Sequence, residues 1–306
     1  MTYDVLIIGG GPAGLSAALA LGRARRAVLL VDGGPRRNAA ATHVHNFLTR
    51  DGTPPAELRA AARAQLAAYP TVELRDTAVH AITGAIGGFR ATLADGTDID
   101  ARRVLLATGM IDQPLPLPGF RELWGHAIVQ CPYCHGYEAR DQRWGYLVLP
   151  ATAAHLVPFA LQARAWTADV AVFTAGAVDV PDAARAALAG ADIALRTAPI
   201  ARLIADGSAL AGVELVDGTA VARDILFAHP PQQQVALVRA LGVGLDDDGY
   251  VKVEPLRPET SVPGVYAAGD LTTRAQAAIL AAGAGMQAAA AINVSLALDP
   301  TAPRRA

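Results

Sequence analysis

Cysteine, lysine, aromatic residues and net charge are all scarce in this sequence of 306 residues. Two cysteines exclude a disulfide framework and a four-cysteine zinc site. A single lysine, Lys252, and a formal net charge of -2 remove the electrostatic case for binding nucleic acid or an anionic membrane surface. Aromatic residues make up only 5% of the chain, and its positive mean hydropathy comes mostly from alanine, so it is no membrane signal.

Long uninterrupted apolar runs are also missing. The longest apolar stretch, residues 277–298, is rich in alanine and contains Gly283, Gly285, Gln287 and Asn293. This favours a core helix over a membrane span. The N-terminal run lacks the cationic region and the cleavage site of a signal peptide. We therefore expect a cytoplasmic protein with no membrane or nucleic-acid partner.

A glycine-rich turn follows the first apolar run and opens a helical stretch. Gly9, Gly11 and Gly14 have the spacing GxGxxG, and a second apolar run ends at Asp32, roughly 20 residues further on. In such a unit the first glycine permits the tight turn, the second lets a pyrophosphate approach, and the third lets the helix pack on the strand. The helix N-terminus offers N–H groups to the phosphates, and the acid accepts a ribose hydroxyl. The pattern predicts a dinucleotide-binding βαβ unit.

A second strand–helix–strand pattern predicts strands at 145–149 and 169–173 around a helix at 153–165. The proline-rich residues 114–119 predict a crossing between domains, and residues 300–306 are predicted to form a frayed tail. Other predicted elements are strands at 89–93 and 98–106 and helices at 57–69 and 276–291. The two βαβ units predict an α/β fold with two Rossmann-like dinucleotide-binding domains.

The two cysteines, Cys131 and Cys134, form a CxxC motif followed by His135. This spacing places both thiols within bonding reach at the start of a helix, where the helix dipole and a neighbouring cation lower the pKa of one thiol. His135 is a candidate proton donor and acceptor for the interconversion of thiol and thiolate. We therefore predict that these three residues are catalytic.

Three other interpretations of this segment stay open. The two thiols are also compatible with a purely structural role. CxxCH is the attachment pattern of c-type haem as well. Both cysteines with His126 and His135 offer four zinc ligands, although two adjacent ligands suit a tetrahedral site poorly. Our expectation is that no metal is bound.

Residues 104–109 (VLLATG) and 264–270 (GVYAAGD) resemble two fingerprints of FAD-dependent oxidoreductases. With Asn46-Phe47, Glu57-Leu58 and Gln65, they resemble the low-molecular-weight thioredoxin reductase family over about residues 1–295. The resemblance implies FAD as the cofactor, a homodimer, and a discontinuous FAD-binding domain of residues 1–113 and 232–306. The second domain, residues 114–231, would be inserted in the first, resemble an NAD(P)H-binding domain and carry the CxxC motif.

The same resemblance implies which residues serve the cofactor and the thiols. Cys134 would face the flavin and Cys131 would exchange with substrate, while Gly269 and Asp270 would hold the ribityl and phosphate region. For His43 and His45, a functional flavin contact and an ordinary polar loop both stay open. The residues expected to bind FAD are Gly9, Gly11, Pro12, Ala13, Gly14, Asp32, Arg37, Asn38, His45, Asn46, Val79, Ala107, Thr108, Gly109, Gly269, Asp270, Gln276 and Ala277.

The second βαβ unit has no glycine in the turn where NADPH would bind. Pro150 and Thr152 occupy the first two expected glycine positions. Proline removes a backbone N–H, and threonine places a branched Cβ where a pyrophosphate needs close approach. Residues 174–179 contain no arginine for a 2′-phosphate, and Asp179 would repel one. We expect a degenerate domain, with a diverged but working site as the alternative.

Residues 131–138 (CPYCHGYE) resemble the FAD-dependent dithiol oxidases of the gliotoxin and holomycin type. The same resemblance extends to residues 36–38, His43, His45 and residues 47–52, and to residues 268–276. Those proteins are similar to thioredoxin reductases but close disulfides in small molecules with oxygen. Two residues depart from the patterns. Asn46 stands where that subgroup is expected to carry glycine, and Ala275 where thioredoxin reductases carry arginine, which puts local flavin contacts in question.

The sequence therefore predicts a FAD-dependent dithiol oxidase that works without NAD(P)H, with a small-molecule dithiol and O2 as partners. The substrate dithiol would attack the Cys131–Cys134 disulfide through a mixed disulfide, and electrons would pass through FAD to O2, giving H2O2. One alternative is a thioredoxin reductase-like disulfide reductase supplied by a diverged NAD(P)H site or an electron-transfer protein. Another is a flavoprotein whose cysteines sense redox state.

Overall fold

A computed structural model describes residues 2–299, in which the chain forms 17 strands and eight α-helices. The predicted tail at 300–306 lies outside these residues. The strands are β1 (Thr2–Ile8), β2 (Val28–Val31), β3 (Val72–Arg75), β4 (Val79–Ala85), β5 (Gly88–Leu93), β6 (Asp98–Leu106), β7 (Ile111–Asp112), β8 (Ile128–Val129), β9 (Trp144–Leu147), β10 (Val170–Phe173), β11 (Ala194–Arg196), β12 (Ile200–Asp206), β13 (Ala209–Leu215), β14 (Ala220–Ala222), β15 (Ile225–Ala228), β16 (Gln232–Gln233) and β17 (Val265–Ala267). The helices are α1 (Pro12–Arg23), α2 (Pro55–Leu66), α3 (Phe120–Leu123), α4 (Pro132–His135), α5 (Leu156–Ala163), α6 (Asp182–Gly190), α7 (Ala236–Ala240) and α8 (Ala278–Ala297).

The chain divides into two compact units. Unit 1 runs to Ile111 and resumes at Gln232, and unit 2 spans Asp112–Pro231. The division therefore precedes the proline-rich residues 114–119, where the sequence predicted the crossing, and those residues lie inside unit 2. The predicted α/β fold is confirmed, because parallel strands alternate with helices in both units.

Unit 1 is built on a seven-stranded sheet in the order β3-β2-β1-β6-β5-β4, with β17 also paired to β6. Strands β3, β2, β1, β6 and β17 are parallel, whereas β4 and β5 form an antiparallel hairpin. One core contains residues of α1 and α8, and the other contains residues of α7 and the hairpin. Strand β2 and the second half of β1, Val5 to Ile8, are continuously apolar because a parallel sheet is covered on both faces.

Helix α8 starts two residues later than the sequence predicted and ends six residues later. Ala281, Ala288, Ile292 and Leu296 are buried in the same core as α1. Within residues 2–299, α8 is the helix long and apolar enough to cross a membrane, a test that buried helices of soluble proteins also pass. Small side chains on its buried face allow close packing.

Unit 2 contains a five-stranded parallel sheet in the order β11-β10-β9-β15-β8 and an antiparallel sheet of β12, β13 and β14. Its largest buried side chains include Trp144, Tyr146, Phe173 and Phe227. The predicted helix at 153–165 was wrong at its start. The segment after β9 is a 3-10 helix at Pro150–His155, and the α-helix begins only at Leu156.

Candidate functional site

The glycine turn of unit 1 joins β1 to α1 and lies against the end of β6. Gly9 has a φ of +112°, and a Cβ there would lie 2.2 Å from the carbonyl oxygen of Ala107. A Cβ on Gly14 would lie 1.9 Å from the carbonyl oxygen of Gly9. Gly11 differs, because a Cβ there would meet no heavy atom of residues 2–299 within 4 Å. Two glycines therefore serve the fold, while Gly11 borders open space at the start of α1.

Asp32 follows β2 directly and lies beside this turn, since a Cβ on Gly10 would be 2.5 Å from its Oδ2 atom. Arg59 of α2 donates a hydrogen bond from Nη2 to the same carboxylate oxygen. The Arg59 side chain is 16% exposed and lies 3.7 Å from Asp76, which also pairs with Arg63. Sequence reasoning missed Arg59, because only the packing of α2 brings it to an aspartate 27 residues earlier.

A second group of predicted residues meets around Arg37. Its Nη1 atom donates to Asp270 Oδ2 at 2.9 Å and to Gln276 Oε1 at 2.6 Å. Gln276 in turn donates from Nε2 to Gln232 Oε1 at 2.9 Å, and the Tyr250 hydroxyl donates to that same oxygen at 2.9 Å. Burial raises the pKa of Tyr250. The structure thus adds Gln232 and Tyr250, which carry no sequence motif, to three residues that the sequence selected.

The segment with His45 and Asn46 forms an irregular loop. Asn46 has a φ of +60°, in the left-handed region that glycine favours and asparagine tolerates better than most residues. Its backbone N–H donates to Asp51 Oδ1 at 2.7 Å, and His45 Nδ1 lies 3.5 Å from that oxygen. Asparagine thus preserves the backbone conformation expected of glycine at this position. His43 is exposed and its Nδ1 atom lies 3.0 Å from the Thr42 hydroxyl.

The remaining predicted FAD ligands occupy varied environments. The Thr108 hydroxyl is buried and has no hydrogen-bond partner among residues 2–299. Asn38 is exposed in a turn, whereas the side chain of Val79 is part of the buried core of unit 1. Only the backbone of Val79 is therefore suited to contact a ligand. Pro12 and Ala13 open α1, Gly109 and Gly269 have positive φ angles, and Ala277 directly precedes α8.

These residues fit a dinucleotide cofactor. The first turn of α1 has backbone N–H groups without intrahelical partners, and Gly11 leaves the space beside them open. Asp32 is held ready to accept ribose hydroxyls, and the buried Thr108 hydroxyl lacks the partner that a polar ligand would supply. FAD would be held by these groups together with Arg37, Asp270 and Gln276.

The two cysteines lie in unit 2, where Cys131 is the N-cap of α4 and neither cysteine is part of a disulfide. Their sulphur atoms are 2.7 Å apart, and the Cys134 thiol donates a hydrogen bond to Cys131 Sγ. This bond, with backbone N–H groups of Cys134 and Tyr133, lowers the pKa of Cys131 to about 7, although burial acts in the opposite direction. Hydrogen bonds, rather than the cation expected from sequence, account for the shift.

His135 lies at the end of the same short helix, with Nδ1 3.4 Å from the carbonyl oxygen of Cys131. Because a carbonyl only accepts hydrogen bonds, this contact favours the tautomer with the proton on Nδ1. Nε2 is then the basic nitrogen. Within residues 2–299, no group of three or more His, Cys, Asp and Glu side chains is arranged to hold a metal ion.

The second turn, which follows β9 in unit 2, is held by hydrogen bonds between its own residues. The Thr152 hydroxyl accepts the N–H of Leu149 at 3.0 Å and donates to the Leu149 carbonyl oxygen at 3.1 Å. The Thr152 N–H donates to that carbonyl as well, at 2.8 Å. Thr152 is buried, and Tyr146 stacks on Phe159 with ring centroids 4.1 Å apart. The polar groups of Thr152 and the backbone of Leu149 thus satisfy one another within the turn.

Comparison with known proteins gives matches over most of the chain. A family model for pyridine nucleotide-disulphide oxidoreductases matches residues 3–293. The thioredoxin reductase tcpT of Claviceps purpurea is 37% identical over 280 residues, covering 87% of this chain and 86% of the relative. The thioredoxin reductase sirT of Leptosphaeria maculans is 34% identical over 309 residues, covering 95% and 93%.

Solved structures agree with this assignment. The crystal structure of an oxidoreductase from Agrobacterium tumefaciens superposes with a TM-score of 0.90 at 36% sequence identity, covering 97% of this chain and 99% of that one. The resemblance stated from the sequence is therefore confirmed, and so is FAD as the cofactor. The chain belongs to the pyridine nucleotide-disulphide oxidoreductase family, as a thioredoxin reductase-like flavoprotein.

Proposed function

We propose that this chain is a FAD-dependent dithiol oxidase that closes a disulfide in a small-molecule dithiol, reduces O2 to H2O2 and does not use NAD(P)H. The observation that carries the proposal is the 3-10 turn at Pro150–His155 in unit 2. It stands where a nicotinamide dinucleotide would need a glycine-rich turn.

Phosphate binding in such a turn depends on free backbone N–H groups and on a small residue that lets the ligand approach. Here Pro150 has no N–H, and the N–H groups of Leu149 and Thr152 are both engaged within the turn. The Thr152 side chain is 4% exposed and occupies the inside of the turn. This turn therefore supports electron entry through the thiols rather than through a nicotinamide.

We propose that the substrate is oxidised by disulfide exchange at Cys131. A substrate thiolate attacks Cys131 Sγ of the enzyme disulfide, a mixed disulfide forms, and Cys134 leaves as a thiolate. The second substrate thiolate then attacks the substrate sulphur of the mixed disulfide, which forms the product disulfide and releases Cys131. Because a thiol of low pKa leaves faster, a Cys131 pKa of about 7 favours this release once Cys134 has taken up a proton, since its thiol is the main hydrogen-bond donor to Cys131 Sγ.

His135 is proposed to take the proton of the incoming substrate thiol on Nε2, with its ring oriented by the contact between Nδ1 and the Cys131 carbonyl. Bound FAD would supply the two-electron acceptor that restores the enzyme disulfide and passes the electrons to O2. Overall, one dithiol and one O2 give one disulfide and one H2O2, so atoms and electrons balance.

Anaerobic titration of the purified flavoprotein tests the proposal. A small dithiol is expected to bleach the visible flavin band, air to restore it with H2O2 formation, and stoichiometric NADPH to leave it unchanged. Cys131→Ser and Cys134→Ser should each abolish dithiol-dependent oxygen uptake while retaining FAD. Rapid bleaching by NADPH would contradict independence from nicotinamide.

The names of the relatives favour a second candidate, a disulfide reductase that works toward a thioredoxin-like protein. Its donor would be a nicotinamide bound in a diverged manner or an electron-transfer protein. Reduction of oxidised thioredoxin by NADPH or by reduced ferredoxin, catalysed by this chain, would support this candidate over the oxidase.

We also propose that the protein acts as a cytoplasmic homodimer, as its resemblance to the thioredoxin reductases implies. Helix α8 exposes Leu280, Met286 and Val294, which is compatible with a covered face in an assembly. Light scattering should then give twice the chain mass of 31.6 kDa. Cell fractionation would test the location.

A further inference from the structure

Tyr133 lies between the two cysteines in the sequence, and its ring is exposed to solvent. Tyr133 is 63% exposed, although burial of a large aromatic side chain stabilises a folded protein. The ring nevertheless has a fixed position. It is nearly perpendicular to the ring of Trp166, with centroids 5.5 Å apart and planes at 85°, and its hydroxyl accepts a hydrogen bond from Gln162 Nε2 at 2.8 Å.

The support continues into the core of unit 2. Trp166 stacks on Trp144 with ring centroids 5.8 Å apart and planes 21° from parallel. Trp144 is buried, and its indole N–H donates to the Ala139 carbonyl at 2.8 Å. We call Tyr133, Gln162 and Trp166 the tyrosine platform. An exposed ring that is held from two sides loses little side-chain entropy on binding a ligand, so the platform is organised in advance for contact.

We propose that the tyrosine platform binds the flat ring of the substrate and thereby places a substrate thiol beside Cys131. The substrate class is then a small dithiol that carries a planar aromatic or conjugated ring within a few bonds of its sulphur atoms. Tyr133 is two residues from Cys131 and adjacent to Cys134 in the short helix α4, so a compact molecule is long enough to reach both the ring and a sulphur. The inference rests on the proposed dithiol chemistry and adds the class of dithiol that the enzyme prefers.

The size of the exposed apolar surface favours a small molecule over a protein. Within the described part of unit 2, the exposed large hydrophobic side chains are Tyr133, Tyr137, Leu161 and Val216. A stable protein partner buries about 800 Å² on each side, and the centre of such an interface is richer in apolar side chains than these four residues provide. Tyr137 is also covered in part by the Arg140 guanidinium, 4.4 Å from its ring centroid. One ring of a ligand is enough to cover Tyr133.

Two matched probes test the proposal. Both are propane dithiols, one with a phenyl ring and the other with a methyl group on the central carbon, so their thiols are chemically similar. Aromatic contacts of this kind predict that kcat/KM is about fivefold higher for the phenyl probe. Tyr133→Leu keeps an apolar side chain but removes the ring, and should bring the ratio close to one. Tyr133→Phe should keep the preference.

A binding measurement separates this inference from the proposed function. The oxidised phenyl probe is titrated into the double variant Cys131→Ser/Cys134→Ser, which has no thiol to react with it, with and without Tyr133→Leu, and loss of the ring should weaken its Kd about fivefold. Tyr137→Leu, the matched control, should leave both the Kd and the kcat/KM ratio within about twofold. If neither probe causes oxygen uptake, the oxidase proposal fails. The Kd values then show by themselves whether the tyrosine platform binds an aromatic ring.

Two results would overturn the inference. In one, Tyr133→Leu changes neither the ratio nor the Kd, or Tyr137→Leu changes them equally. In the other, Tyr133→Leu slows the reaction of a reduced thioredoxin while both small probes react as with the unaltered protein, which would assign this surface to a protein partner.

Discussion

Cys131 acquires its reactivity from atoms that lie within four residues of it. The Cys134 thiol and backbone N–H groups of Tyr133 and Cys134 act on its sulphur, and all belong to the CxxC segment. This local origin explains why sequence reasoning recognised the redox pair. It correctly invoked the start of a helix, whose backbone N–H groups contribute, but it also invoked a neighbouring cation where the structure provides the Cys134 thiol.

The thiolate of Cys131 should titrate near pH 7 in the reduced protein, measured by ultraviolet thiolate absorbance or by the rate of alkylation with iodoacetamide. Because the pKa is lowered, the thiolate is abundant above pH 7 and is lost as the pH falls below it. Cys134→Ala removes the main donor, so the midpoint should rise toward the ordinary value of 9.0.

Cys134→Ser serves as the control for this titration, since its hydroxyl still donates a hydrogen bond, and the midpoint should stay low. An unchanged midpoint in Cys134→Ala would show that the Cys134 thiol is not what stabilises the thiolate.

At the scale of elements, the two βαβ units carry contrasting turns at equivalent positions. In unit 1, glycines leave the start of α1 open, whereas in unit 2 Thr152 closes the turn with hydrogen bonds to Leu149. This contrast between the two turns is visible in the sequence as the presence or absence of glycine. The 3-10 form of the second turn is not, because it depends on where the threonine hydroxyl points.

Gly11→Ala and Gly14→Ala should separate cofactor binding from folding. A Cβ on Gly11 meets nothing within 4 Å, and its φ of -78° suits alanine, so the apoprotein should keep its melting temperature. FAD binding should weaken about tenfold or more, a loss of about 1.4 kcal/mol or more, because the added methyl group occupies the open space.

Gly14→Ala should act differently. Its Cβ would overlap the Gly9 carbonyl oxygen at 1.9 Å, so α1 has to move and the apoprotein should lose about 3 kcal/mol or more of unfolding free energy. Thermal unfolding of both apoproteins and titration with FAD provide the comparison. Equal effects of the two variants on stability would contradict this assignment.

At the scale of the whole molecule, buried charges connect the start of the described chain to its end within unit 1. Arg103 is 3% exposed and donates to the Ser295 hydroxyl at 2.9 Å, while its Nη2 atom lies 3.2 Å from Asp299. Arg102 pairs with Asp299 at 3.0 Å and with Asp4 at 3.3 Å. Buried charges of this kind are tolerated only when they are paired.

Arg103→Met should therefore lower the free energy of unfolding by about 3 kcal/mol, because it removes a buried partner of Asp299 and leaves Ser295 without its donor. Urea denaturation measures the change. Arg90→Met is the matched control, since the Arg90–Asp100 pair is exposed and contributes little. A loss no larger in Arg103→Met than in Arg90→Met would show that the network does not stabilise the fold.

Much of this protein was accessible from sequence because its signals are local. The spacing of Gly9, Gly11 and Gly14, the apolar runs of parallel strands and the CxxC motif each follow from short-range geometry, and they led to the fold class, the family and FAD. Element ends were less accessible, as the start of α5 and the extent of α8 show, since they depend on capping and packing.

Tertiary structure alone decided which distant side chains meet. Arg59 reaches Asp32, Tyr250 and Gln232 join the group around Arg37, and Trp166 supports Tyr133, although no motif connects any of these positions. The sequence by itself determined the types of chemistry present, because those depend on residues close together in the chain. Their partners, orientation and exposure depended on packing between elements, which no short stretch of sequence encodes.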